Sequence, residues 1–339
     1  MNAYILGIES SCDDTSAAVI NNNVLLSNVI ASQAIHKNFG GVVPEYASRA
    51  HQVNIIPVID QALREANIQK NQLSAIAFTR GPGLLGSLIV GVSVAKSMAL
   101  ALNIPLIEVD HIRAHLLSHF IQEHDFTARS PQFPYLCLLI SGGHTQIIEV
   151  KDHHTFVTIV NTMDDAAGEA FDKSAKILGL PYPGGQMIDK YAADGDPLKY
   201  KFPEPRVKED EFSFSGLKTS FLYFVRDNLK TNPEFIDQNR NNLCASIQHT
   251  IITILAKKLI MISEKTGIST IAISGGVSAN SALRALLTKE SVSRNWNLFL
   301  PKPVFCTDNA AMVAVAGYYK YLNKDFSAQN VTPYTRYNS

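Results

Sequence analysis

The segment HIRAHLLSH places His111, His115 and His119 at i, i+4 and i+8. On a helix the first two share a face one turn apart, a spacing at which two imidazoles can bind one divalent ion. Such an ion needs a further ligand, so a carboxylate should converge on the pair. FCTDNAAM (Phe305–Met312) offers Asp308 for that role. The competing reading places Thr307 and Asp308 at the N-cap of the last helix. His119, two turns from His111, reads as structural. No Ser or Cys stands out as a nucleophile. HIRAH also lacks the Glu beside the first His that HExxH metalloproteases use as a base.

A second group of motifs suits phosphate and ribose. SGGHT (Ser141–Thr145) and SGGVSAN (Ser274–Asn280) each follow an apolar run. Their glycines let backbone N–H groups approach an anion closely, although a tight turn needs glycine too. DDAAGEAFDK (Asp164–Lys173) carries four carboxylates: Asp164 and Asp165 suit a cap, and Glu169 and Asp172 share one helical face. PGGQMIDK (Pro183–Lys190) adds a third glycine turn, with Asp189 placed either for a hydroxyl or for a cap. GPGLLG (Gly81–Gly86) matches the dinucleotide fingerprint, with Glu108 22 residues beyond Gly86. Against that reading, Pro82 removes a donor, and the motif follows a hairpin instead of the first strand. Close helix–strand packing explains these glycines better, and a dinucleotide oxidoreductase is the alternative.

The elements that must hold these residues are legible from periodicity. Apolar runs at Tyr4–Glu9 and Ser16–Ile20 predict two strands around SSCDDT, and the pattern returns at Tyr135–Ile140 and Gln146–Val150 around SGGHT. The two hairpins lie about 130 residues apart, which predicts two related halves. Strands at Ile76–Thr79 and Leu106–Val109 flank the apolar helix Leu84–Leu102 in a β-α-β unit. A strand at Thr270–Ser274 and helices at Val53–Ala66, Asn241–Lys265, Ala282–Arg294 and Ala310–Tyr321 complete an α/β pattern. The stretch Asp194–Phe214, rich in Pro, Asp, Lys and Glu, reads as an irregular surface excursion.

Length and composition bound the class. The chain has 339 residues, 46% hydrophobic and 18% charged, enough for about two folded domains and incompatible with disorder. Thirty basic residues balance thirty acidic ones, which argues against coating nucleic acid by bulk charge. The balance is uneven, however. Residues 254–339 hold ten Lys and Arg against four Asp and Glu, a net +6, so residues 1–253 carry −6. Any nucleic-acid contact is then expected to be a local patch. Cys12, Cys137, Cys244 and Cys306 form no CxxC, which suggests reduced thiols and a cytoplasmic location. MNAYILGIESSCDD lacks signal-peptide features, and Leu84–Ala95 is interrupted by Lys96, so no membrane span is expected.

Taken together, GIESSCDDT, GGVVPEYASRAH, GPGLLGSL, HIRAH, LLISGGHTQ, DDAAGEAFDK, PGGQMIDK, FSFSGLKT, ISGGVSAN and CTDNAAM occur in one order across Gly7–Met312. This series closely resembles the bacterial tRNA adenosine threonylcarbamoyltransferase (TsaD) family. The resemblance implies an α/β, two-domain fold of the actin-like, sugar-kinase and heat-shock ATPase group, with duplicated domains and a nucleotide cleft between them. It implies an N-terminal subdomain of residues 1–109 plus about 304–339, and a C-terminal subdomain of 110–303 bearing the metal and nucleotide loops. The implied reaction moves a threonylcarbamoyl group from threonylcarbamoyl-adenylate to N6 of the adenosine 3′ of the anticodon in ANN-reading tRNAs, releasing AMP. The family's pattern would make His111, His115 and Asp308 ligands of one iron or zinc ion, through which they act in catalysis. Leu139, Ile140, Ser141, Gly142, Gly143, Asp172, Gly185, Asp189 and Asn280 would hold the adenylate. Implied partners are tRNA, the paralogue TsaB, the ATPase TsaE and, as an alternative, a second copy of the chain. A non-catalytic nucleotide-binding relative of the same fold is the other reading. One departure stands out: family members commonly carry a Glu where Arg113 interrupts the HxxxH motif.

Overall fold

The structure is a computed structural model and describes residues 2–123, 129–205 and 207–336. The chain divides into two compact units, Met1–Ser130 with Pro301–Ser339, and Pro131–Leu300.

In the first unit, β1 (Tyr4–Glu9), β2 (Asp14–Asn21) and β3 (Val24–Ser32) form an antiparallel meander. Helix α1 (Pro44–Glu65) follows, then β4 (Ala75–Gly81), α2 (Leu85–Leu102) and β5 (Leu106–Asp110). Short α3 (His111–Leu117) and β6 (Gln122–Glu123) close this part of the chain. The sheet order is β5-β4-β1-β2-β3-β6, with β1, β4 and β5 parallel. The expected β-α-β unit is present. Helix α1 begins nine residues before the expected Val53, with Pro44 in its first turn. Its buried stripe runs Ala47, His51, Ile55, Val58, Ile59 and Ala62, and the polar His51 interrupts the apolar signal of the first turns.

The second unit repeats the plan. Strands β7 (Tyr135–Ile140), β8 (Thr145–Val150) and β9 (Phe156–Thr162) form its meander. After them come α4 (Ala167–Ile177), α5 (Gly184–Ala192), β10 (Glu211–Phe212), α6 (Ser215–Leu229) and α7 (Phe235–Thr266). The unit ends with β11 (Thr270–Ser274), α8 (Ser281–Ser293) and β12 (Asn297–Phe299). Its order, β10-β9-β8-β7-β11-β12, read backwards matches the first sheet strand for strand in position and direction. The spacing of the two hairpins therefore reflected a true structural duplication. The excursion across Asp194–Phe214 contains little regular structure, and Arg206 lies outside the described residues.

The chain returns to the first unit through α9 (Ala310–Leu322), which packs on β1, β2 and β4 while α1 and α2 pack against the same sheet. Covered faces explain why β1 reads as a continuous apolar run, with Ile5, Leu6 and Ile8 all buried. Among the described residues, two helices, α2 and α7, are long and apolar enough by composition to cross a membrane, which the sequence reading of α2 did not anticipate. Within their units α2 packs on β4 and α1, and α7 packs on α5, α8 and α6.

The expected domain boundary near residue 109 differs from the division between Ser130 and Pro131. Helix α3 packs on α9, and β6 pairs with β3, so this stretch stays with the first sheet. The metal motif and the nucleotide loops were expected in one subdomain, but they belong to different units.

Candidate functional site

Asp110 ends β5 and caps α3 by accepting the Arg113 N–H through Oδ1 at 2.9 Å. Helix α3 then turns His111 and His115 inward, with both imidazoles buried and their rings perpendicular at 4.8 Å. His115 Nε2 lies 3.1 Å and His111 Nε2 3.4 Å from one oxygen, Oδ1 of Asp308. Asn309, not Asp308, is the N-cap of α9, its Oδ1 accepting the Met312 N–H at 3.0 Å. That shift of one residue frees the Asp308 carboxylate to face the histidines. Among the described residues, His111, His115 and Asp308 are the three whose donor atoms cluster tightly enough to hold an ion. His119 falls beyond the end of α3, in the turn Ser118–Phe120. Arg113 is exposed, so its altered charge lies outside the ligand cluster.

Sequence reasoning missed Glu9. It is fully buried at the end of β1, and its Oε2 lies 3.1 Å from His111 Nδ1 and accepts the Thr79 hydroxyl at 2.6 Å. The other oxygen, Oε1, accepts the Ser11 N–H. A lone Glu at the end of an apolar strand was the available signal, because burial of an unpaired carboxylate is costly. Burial alone would push the Glu9 carboxyl up, but the His111 charge and hydrogen bond hold it below its usual range. Burial likewise works against a charged His111, yet the carboxylates of Asp308 and Glu9 raise it well above the ordinary imidazole value. For Asp308 burial is again outweighed by His111 and His115, which hold the carboxyl far down. Among the described residues, His115 Nδ1 is buried with no hydrogen-bond partner.

The GPGLLG glycines serve this centre by close packing. A Cβ on Gly83 would stand 2.5 Å from the Ser11 carbonyl oxygen, and Leu84 N–H donates to that same oxygen at 2.8 Å. A Cβ on Gly86 would meet Ser48, and one on Gly91 would meet Ser10 Oγ at 2.3 Å. The loop is thus filled by the Ser10–Ser11 turn, which leaves no close approach for a pyrophosphate at Gly83.

In the second unit the proposed adenylate residues form a connected set. Leu139 and Ile140 end β7 and are buried. The turn Ser141–His144 is closed by Ser141 N–H donating to the His144 carbonyl at 2.8 Å. Gly142 and Gly143 are exposed there, with open space where a side chain would project. Gly275, with φ +86°, crosses β7 so closely that a Cβ would lie 2.4 Å from the Ile140 carbonyl. A Cβ on Gly168 of α4 would meet the Ser141 carbonyl at 2.5 Å. Asp172 Oδ1 accepts the N–H groups of Gly184 and Gly185 at 2.9 and 3.2 Å, fixing the start of α5. Burial raises the Asp172 carboxyl above its usual value, against those hydrogen bonds. Asp189 accepts the Ser281 N–H and hydroxyl at 3.0 and 2.8 Å. Asn280 caps α8 and donates to Gln248 at 2.7 Å.

The neighbouring acids have structural uses. Asp164 caps α6, not α4, accepting from Phe214 N–H at 2.8 Å and from Ser213. The α4 cap comes instead from Thr145 of SGGHT, which accepts the Ala167 N–H at 2.8 Å. Asp165 pairs with Lys173 and Lys218, and Glu169 with Lys173. Part of the positive excess after residue 254 is spent likewise: Lys257 pairs with Glu204, Lys265 with Glu209 and Lys302 with Glu123.

A family model described as TsaD: tRNA N6-adenosine threonylcarbamoyltransferase matches residues 24–315. A protein of that name from Christiangramia forsetii is 59% identical over 333 residues, covering 98% of this chain and 97% of the relative. The namesake from Phocaeicola vulgatus is 55% identical, covering 99% of each. Among solved structures, the crystal structure of T.kodakarensis HypF superposes with a TM-score of 0.62 at 14% identity, covering 97% of this chain and 49% of that one. The chain therefore spans about half of HypF, and that likeness bears on the fold alone.

Proposed function

Because the chain belongs to the TsaD family of tRNA N6-adenosine threonylcarbamoyltransferases, and is a transferase acting in tRNA modification with an actin-like fold, we propose that His111, His115 and Asp308 hold its divalent metal. The observation that carries this is the convergence of two histidine Nε2 atoms on one Asp308 oxygen. Two neutral imidazoles and one carboxylate form a set that suits iron or zinc with positions left open to substrate. The buried, unpartnered His115 Nδ1 belongs to a ring whose other nitrogen is already committed to this centre. When bound, the ion supplies a Lewis acid and a template for the threonylcarbamoyl group.

The chain's own residues do the rest. Glu9 Oε2 accepts a hydrogen bond from the Nδ1–H of His111, which leaves Nε2 as the ligand nitrogen. Thr79 and Ser11 hold Glu9 in turn. The Gly142 and Gly143 N–H groups, open to solvent, are suited to the adenylate phosphate. Asp172 sets the Gly184–Gly185 turn, and Asp189, already tied to Ser281, keeps lone pairs for a hydroxyl. Leu139, Ile140 and Asn280 shape the floor of that site. The acyl donor, threonylcarbamoyl-adenylate, is a mixed anhydride, so AMP leaves without a strong acid. The adenine amine of tRNA attacks the positioned carbonyl directly, with no covalent enzyme intermediate.

The triad disfavours a non-catalytic nucleotide binder of the same fold. The filled GPGLLG loop disfavours a dinucleotide oxidoreductase. The proposed partners are the paralogue TsaB, the ATPase TsaE and, as an alternative, a second copy of the chain. Exposed Val53 and Ile56 on α1, and Leu85 and Ile89 on α2, support a protein partner. Four free cysteines support a cytoplasmic location. The test is nucleoside analysis of tRNA incubated with threonylcarbamoyl-adenylate and the protein, alone and with each partner. Modified adenosine should form with the intact chain and not with His111→Ala. Full activity of a metal-free His111→Ala protein would overturn the reading.

A further inference from the structure

Near the end of the described residues, Ser327–Tyr334 runs beside β5 and over the end of β4. Ser327 N–H donates to the Leu106 carbonyl at 2.8 Å, and Ser327 Oγ accepts the Glu108 N–H at 2.8 Å. Lys96 donates to the Val331 carbonyl, and Arg80 Nε donates to the Thr332 carbonyl at 2.8 Å. Tyr334 N–H then donates to the Arg80 carbonyl at 3.2 Å, and the Arg80 guanidinium lies 5.4 Å from the Tyr334 ring centre. Gly81 makes room for this crossing: with φ +155°, its Cβ would stand 2.2 Å from the Tyr334 carbonyl oxygen.

These contacts anchor the strap without help from the tyrosine hydroxyl. That hydroxyl instead donates to Oδ2 of Asp110, whose Oδ1 accepts the Arg113 N–H that opens α3. Helix α3 has seven residues and carries both His111 and His115. A helix so short has little stability of its own, so its first-turn cap governs where both imidazoles stand. Burial, reinforced by Asp110, keeps the phenol well above its ordinary range and therefore a donor.

We propose that Tyr334 is a positioning residue for the metal centre, holding Asp110 so that the first turn of α3 presents His111 and His115 toward Asp308. The proposal rests on the metal reading above for its consequence, but the ordering of α3 can be measured without metal. Tyr334→Phe removes the hydroxyl and keeps the ring over Arg80, so the fold and melting temperature should be retained. In the metal-free full chain, the Arg113 amide should exchange about fivefold faster in Tyr334→Phe than in the wild type. Zinc titration, followed by calorimetry, should show affinity about three- to tenfold weaker. Asp110→Asn, which keeps an acceptor for Arg113 but weakens the tie to Tyr334, should shift both readouts the same way. Wild-type exchange at Arg113 in both variants would overturn the proposal, as would faster exchange with unaltered zinc affinity. If His111→Ala binds zinc as tightly as the wild type, the metal reading itself fails, and the exchange measurement alone decides the role of Tyr334 in ordering α3.

Discussion

Glu9 Oε2 stands 3.1 Å from His111 Nδ1, joining the end of β1 to the start of α3 across 102 positions of sequence. One buried carboxylate thereby sets the tautomer of a histidine whose other nitrogen faces Asp308. Its second oxygen is spent on the backbone of the Ser10–Ser11 turn, so the turn, the strand and the imidazole are held as one body.

Glu9→Gln should therefore weaken metal binding by roughly ten- to a hundredfold, as loss of an outer carboxylate on a ligating histidine generally does. Competitive titration of zinc against a chromophoric chelator would measure it. An unchanged constant would show that His111 needs no such partner.

Asp308→Asn keeps the shape of the side chain and removes its charge. Metal content after dialysis should drop to near zero, and transfer to tRNA should fall with it. Measuring metal and modified nucleoside on the same preparations checks that the two losses move together.

Gly83→Ala should destabilise the protein by about 1–3 kcal/mol, because its methyl would overlap the Ser11 carbonyl. Denaturant unfolding would report the change. An equally stable variant would mean that the Ser10–Ser11 turn moves aside freely. Purified wild type should show no nicotinamide or flavin absorbance, since that crossing fills the place a pyrophosphate would take.

Burial pushes the Asp14 carboxyl up to about 7 from 3.8, with a hydrogen bond from Ser32 opposing and Asp13 adding to the rise. A raised acid favours the folded state fully below its unfolded value and loses that contribution as pH climbs through the folded value. In chelator-treated protein, the wild type should thus lose stability relative to Asp14→Asn between about pH 4 and 7, by ~1 kcal/mol after allowing for partial exposure. Parallel melting curves across that range would sink the assignment.

Asp172→Ala removes the acceptor for two glycine N–H groups at the head of α5. AMP affinity should weaken about tenfold while metal content stays unchanged. Calorimetry with AMP would check the first, and metal analysis the second.

Much of this protein was determined by local sequence. The paired apolar hairpins gave away the duplication, because strand burial and turn chemistry act over a few residues. The i, i+4 histidines and the glycine turns were readable for the same reason. What only the tertiary structure decided were the long-range relations. Asn309 takes the cap expected of Thr307 and Asp308, and that single step is what turns Asp308 toward His111 and His115. Glu9 is an unremarkable acid in the sequence until burial brings it against His111. Asp164 caps α6 and Thr145 caps α4, an exchange that no spacing rule could assign. The glycines of GPGLLG match a nucleotide fingerprint letter for letter, yet Ser11 and Tyr334 fill the space beside them. Motif spacing records backbone geometry along the chain, whereas a ligand site depends on which distant atoms already occupy the space in front of it.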